Sequence, residues 1–197
     1  MVTRMAEDIG ESLVGSYLRY VQNCEFVLFN TYLPGEQGEI DVIGIRLGTP
    51  RDIYFAEVTT HIQGMTYGGN KSTVDKVRSK LERAEKFAQD RFPGDRHHYE
   101  VWSPRVPVGA MTKEFTAMSS AFQARGARLT FVMNQGYGDR VQALIDVAKT
   151  NSRATSDPPS ACSRCWRACE QPTAGWSSSH RRADCGSVVA DQFTCIA

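Results

Sequence analysis

What this 197-residue chain lacks narrows it first. No run of about 18 or more apolar residues occurs, which excludes a membrane-spanning helix. The N-terminus, Met1-Val2-Thr3-Arg4-Met5-Ala6-Glu7-Asp8, has no apolar stretch of the kind a secretion signal needs, so the cytoplasm is the default location. There is no charge excess either: 23 Lys and Arg stand against 22 Asp and Glu, a net charge of +1. No global field draws the protein to nucleic acid, and any such binding has to come from a local patch. The best such patch is residues 71–96. There Lys71, Lys76, Arg78, Lys80, Arg83, Lys86, Arg91 and Arg96 outnumber Asp75, Glu82, Glu85, Asp90 and Asp95. Cysteine is almost missing before residue 160, where Cys24 stands alone.

What is present is concentrated in two segments. Gly38-Glu39-Ile40-Asp41-Val42-Ile43-Gly44-Ile45 and Ile53-Tyr54-Phe55-Ala56-Glu57-Val58-Thr59-Thr60-His61 both read as strands, separated by the turn residues Gly48-Thr49-Pro50. Strand side chains alternate faces, so Asp41 shares a face with Ile43, Ile45 and Leu47, and Glu57 with Ile53, Phe55 and Thr59. If Leu47 pairs with Arg51, the ladder sets Asp41 opposite Glu57, with Cβ atoms roughly 4.5–5.5 Å apart. A one-residue slip sends the acids to opposite faces. Two carboxylates that close, among aliphatic neighbours, repel unless a proton or cation joins them, and a divalent cation is the common partner.

A helix bearing Glu11, then Gly-Glu-Ile-Asp-Val-Ile, then an aliphatic strand ending Glu-Val-Thr, then a charged helix, resembles the PD-(D/E)XK, or restriction-endonuclease-like, nuclease superfamily. The similarity is greatest to small bacterial endonuclease-like proteins and covers about residues 6–150. It implies an α/β fold with a mixed central sheet flanked by helices, in the order α-β-β-β-α-β-α-β-α. It further implies an Mg²⁺-dependent nuclease acting on DNA, with Mn²⁺ as an alternative metal. Asp41 and Glu57 fall on the family's metal ligands and Glu11 on its supporting helix acid. The family's catalytic lysine falls on Thr59, which can hydrogen-bond a water but adds no charge. Lys71, Lys76 and Lys80 follow on the next helix. Lys76 and Lys80, four apart on one face, are the candidates to restore the charge. The alternative is a catalytically inactive nuclease-fold protein that binds nucleic acid or a protein partner. A homodimer is compatible with either. His61 reads as a loop histidine.

Elsewhere, Glu25–Thr31 reads as a strand beside the hairpin. Val74, Val77, Leu81, Ala84 and Ala88 trace a helical stripe stopped by Pro93-Gly94. Tyr99–Val106 is expected to be a strand held to an edge or an end by Pro104 and Pro107, with Trp102 in the core rather than stacked on a base beside Arg105. Glu114–Arg125 is expected as a short helix, Leu129–Met133 as the best buried strand of the second half, and Val141, Leu144, Ile145 and Ala148 as a last amphipathic helix. After residue 150 the periodicity disappears. Cys162, Cys165 and Cys169 with His180 or Cys185 have partial zinc-ligand spacing, but the segment has too few apolar residues for a core. A largely disordered tail over 151–197 is the expectation.

Overall fold

In the computed structural model, residues 8–33, 38–60, 64–65 and 67–150 are described. The chain divides into a unit Met1–Arg164 and a second, Cys165–Ala197, and the whole cysteine-rich tail lies outside the described residues.

The fold is α/β. The order is α1 (Ile9–Tyr20), β1 (Phe26–Tyr32), β2 (Glu39–Arg46), β3 (Asp52–Val58), α2 (Asn70–Arg91), β4 (Arg96–Ser103), α3 (Ala110–Ala124), β5 (Arg128–Met133) and α4 (Gln135–Thr150). The five strands form one sheet in sequence order. β1, β2 and β3 pair antiparallel, and β3, β4 and β5 pair parallel, so the sheet is mixed. α2 and α3 are the crossovers that the parallel pairs require. The expected element order is the observed one.

Both faces of the sheet are covered. Ile43, Ile53, Phe55, Tyr99 and Val101 pack with the stripe Val74, Val77, Leu81, Ala84 and Ala88 of α2 and with Met111, Phe115, Met118 and Phe122 of α3. Val42, Tyr54, Ala56, Trp102 and Val132 pack on the other side with Val14, Tyr17 and Leu18 of α1, joined by Tyr137 and Ala143 of α4. Adjacent strand residues thus serve opposite cores, which is why β2 and β3 read as continuous apolar runs rather than as an alternation.

Three sequence expectations need correction. β4 begins at Arg96, not Tyr99, and it lies inside the sheet between β3 and β5; of the two expected alternatives the prolines mark its end, at Ser103, and not an edge. β4 is also the better buried strand of the second half, because β5 forms the sheet's edge and buries only Leu129 and Val132. α3 starts at Ala110, where Gly109 precedes it with φ +142° and Thr112 Oγ1 accepts from Gly109 N at 3.0 Å, a start without the usual polar cap residue. No helix among the described residues is long and apolar enough to cross a membrane.

One end of the sheet is tied by a buried acid. Asp52 accepts from Arg96 at 2.7 Å, from His98 Nε2 at 2.8 Å and from Arg46 at 2.9 Å, linking β2, β3 and β4. Arg96, then His98 and Arg46, hold its carboxyl well below the ordinary carboxylate range despite burial. Its stabilisation is therefore present above the unfolded pKa, and it is lost as pH falls below about 4 toward the depressed folded value. Asp52→Asn should cost about 2 kcal/mol at pH 7 by urea unfolding, and less at pH 3. An equal cost at both pH values would contradict this account.

Candidate active site

The other end of β3 carries the candidate site. The β2–β3 ladder pairs Val42 with Ala56, Ile43 with Phe55, Gly44 with Tyr54, Ile45 with Ile53 and Arg46 with Asp52. Continued by one position, this register sets Asp41 across from Glu57, as the turn spacing predicts. Asp41 Oδ2 accepts from Val58 N at 2.7 Å, which anchors the first acid to the strand that bears the second. Both acids are buried, at 6% and 5% exposure.

α2 delivers the cation. Its apolar stripe packs on the same sheet face, and Lys80, one residue before Leu81, reaches back to the acids. Lys80 Nζ donates to Glu57 Oε2 at 2.5 Å and lies 3.7 Å from Asp41 Oδ2. Burial pushes the Glu57 carboxyl up, the Asp41 charge adds to this, and the value reaches about 7 even though Lys80 and Arg83 pull it down. For Lys80, burial works against the ammonium, but Glu57 and Asp41 outweigh it and its pKa is raised. The two acids thus hold Lys80 as an ammonium.

The other predicted residues are arranged around this core. Thr59 is buried, its N donates to Trp102 O at 2.9 Å, and its Oγ1 lies 3.3 Å from the hydroxyl of Tyr67. Lys76, exposed and one turn before Lys80, has its Nζ 4.1 Å from the centre of the Tyr67 ring rather than on the acids. Glu11 accepts from Asn30 Nδ2 at 3.1 Å; burial raises its pKa, and the Asp41, Asp8 and Glu39 charges add to that. Its place is set by the start of α1. Asp8 caps the helix by accepting from Gly10 N at 2.7 Å, and Gly10 abuts Thr60 just beyond β3 with no room for a methyl group. Lys71 is exposed at the start of α2. His61 lies outside the described residues.

Tyr67 and Glu39 escape sequence reading as site residues, and Arg83 enters it only as one member of the basic patch 71–96. Tyr67 sits in an irregular segment and touches Thr59 and Lys76. Glu39 belongs to the same motif as Asp41, and its Oε2 is buried without a hydrogen-bond partner. Arg83, on α2, has a buried Nε likewise without a partner. Trp102 is fully buried and donates to Glu100 Oε2 at 2.8 Å, which leaves it no face for a base.

The cation seated on the two carboxylates is the Lys80 ammonium. Two carboxylates converge on a single cation position, and Mg²⁺ commonly takes one or two carboxylates with water and substrate phosphate completing its shell. Among the described residues, no group of three or more His, Cys, Asp or Glu side chains is placed to hold a metal, so the pair has no third protein ligand of that kind. A cleft of about 740 Å³ opens elsewhere, at the far ends of β4 and β5, lined in part by Arg96, His98, Gln123, Arg125 and Arg128. Arg96 and His98 are already engaged there by Asp52, and Arg125 by Glu85 at 3.1 Å. The chain matches no protein-family model, no curated protein and no solved structure.

Proposed function

We propose that this chain is a divalent-metal-dependent nuclease of the restriction-endonuclease-like type, hydrolysing DNA phosphodiester bonds. The observation that carries the reading is the seat of Lys80, 2.5 Å from Glu57 and 3.7 Å from Asp41. It supplies from the following helix the charge that Thr59 lacks.

Asp41 and Glu57 would hold Mg²⁺ or Mn²⁺, which supplies Lewis acidity and lowers the pKa of a bound water. A water oxygen bonds to phosphorus, one phosphorus–oxygen ester bond breaks, the water loses a proton to solvent and the departing oxygen gains one. Lys80 opposes the negative charge that grows on the phosphoryl oxygens in the transition state. Thr59, positioned by Tyr67, can orient the water through its hydroxyl. Glu11 supports the acid pair from α1.

The competing reading is an inactive nuclease-fold protein that binds nucleic acid or a protein partner. It draws on the same ion pair, because Lys80 by itself satisfies the two buried acids. A cleavage panel over duplex, single-stranded, flap and junction DNA with Mg²⁺ or Mn²⁺ separates the two. The wild type should cut at least one substrate, and Asp41→Ala and Glu57→Ala should not. Cleavage surviving both substitutions sinks the nuclease assignment, and metal binding without cleavage selects the competing reading.

A further inference from the structure

We propose that Arg83 is the residue that grips the substrate phosphate, an inference that rests on the nuclease reading of the acid site. Arg83 lies one turn beyond Lys80 on α2, so the two side chains leave the helix in neighbouring directions. Arg83 is the next cation along this helix after Lys80. Its guanidinium lies beside Gly38. A Cβ added at Gly38 would stand 3.2 Å from Arg83 Cζ, 3.3 Å from one terminal nitrogen and 3.4 Å from Nε. Gly38 has φ +151°, a conformation that other residues rarely adopt. The glycine that opens the Gly-Glu-Ile-Asp motif thus makes room for the guanidinium beside the strand that carries Asp41.

Among the described residues no ion pair to Arg83 occurs, and its buried Nε has no acceptor. An arginine kept only for structure would be expected to have its N–H groups paired. A guanidinium beside a glycine, with no carboxylate paired to it among the described residues, suits a ligand that brings acceptor oxygens, and a phosphodiester presents two non-bridging ones to a planar fork. With Lys80 on the acids and Arg83 one turn on, a phosphate over Asp41 and Glu57 meets both cations.

The test is duplex-DNA binding by fluorescence anisotropy, with the full chain in EDTA over a salt series, beside cleavage in Mg²⁺. Arg83→Ala should weaken binding about 10-fold and reduce the slope of log K against log salt by about 0.9, the value for one lost phosphate contact. Arg83→Lys should keep the slope while lowering kcat/KM about 10-fold, because a point charge replaces a fork. Gly38→Ala, which crowds the guanidinium, should follow Arg83→Ala, and Lys149→Ala on α4 should change neither readout. An Arg83→Ala protein with wild-type slope and wild-type cleavage overturns this inference and leaves the nuclease reading standing. A wild type whose binding slope depends on Arg83 but which cuts nothing overturns the nuclease reading and keeps the phosphate grip. A wild type that binds no DNA with or without Mg²⁺ overturns both.

Discussion

Lys80→Met should lower cleavage by about 100- to 1000-fold, the usual effect of removing one preorganised charge from a transition state, and adding Thr59→Lys to it should return part of the loss. The reason is geometric. Thr59 follows Glu57 by two positions and is buried near the Tyr67 hydroxyl, so a lysine there would approach the acids from the strand as Lys80 does from α2. Thr59→Lys alone should give no gain, since two ammonium groups would compete for one pair of carboxylates. An increase in activity from Thr59→Lys alone would show that Lys80 is a structural cation and that the site lacks its catalytic one.

The same substitution has a second consequence that keeps structure and chemistry apart. Removing Lys80 leaves Asp41 and Glu57 buried without their cation, which should cost about 3 kcal/mol in chelator. Glu57→Gln added to Lys80→Met should recover much of that stability, because one buried charge is gone, while leaving cleavage lost. Cleavage by this double variant would overturn the assignment of Glu57 to the metal.

Trp102→Ala should be the most damaging single change to the fold, at about 4 kcal/mol in urea unfolding. The indole is fully buried and meets Tyr17 edge-on at 5.1 Å and Tyr137 at 6.0 Å between ring centres, so α1, β4 and α4 all lose packing at once. The cost is compounded at Glu100. Burial already raises that carboxyl's pKa, and its Oε2 would lose the Trp102 N–H, leaving Arg140 NH2 4.0 Å from Oε1. Trp102→Phe should cost less and isolate the missing hydrogen bond. A loss under about 1 kcal/mol for the alanine variant would contradict a core role.

Much of this was readable in the chain because it depended on local periodicity. The period-two pattern of Ile43, Ile45, Ile53 and Phe55 around Gly48-Thr49-Pro50 led to the right ladder, and the 3.6-residue spacing of Val74, Val77, Leu81, Ala84 and Ala88 led to the right buried face of α2. The misreadings occurred where neighbours in space, not in sequence, set the outcome. β4 extends back to Arg96 because the polar residues Arg96 and His98 are paired by Asp52, and no apolar pattern signals that. Leu129–Met133 is as apolar as an inner strand, yet it became the edge because no strand follows it in the sheet.

Alternation and a short turn made the facing of Asp41 and Glu57 the simplest register in the chain, and the observed β2–β3 ladder, not the spacing alone, excludes the one-residue slip that would part them. Which lysine answers them was not determined there. Lys76 and Lys80 share one helix face, and only the packing of α2 on the sheet, with Leu81 buried beside Lys80, lowered one ammonium onto the carboxylates and left the other over the Tyr67 ring. Spacing along a chain fixes direction within one element, but distance between elements is set by the core that holds them.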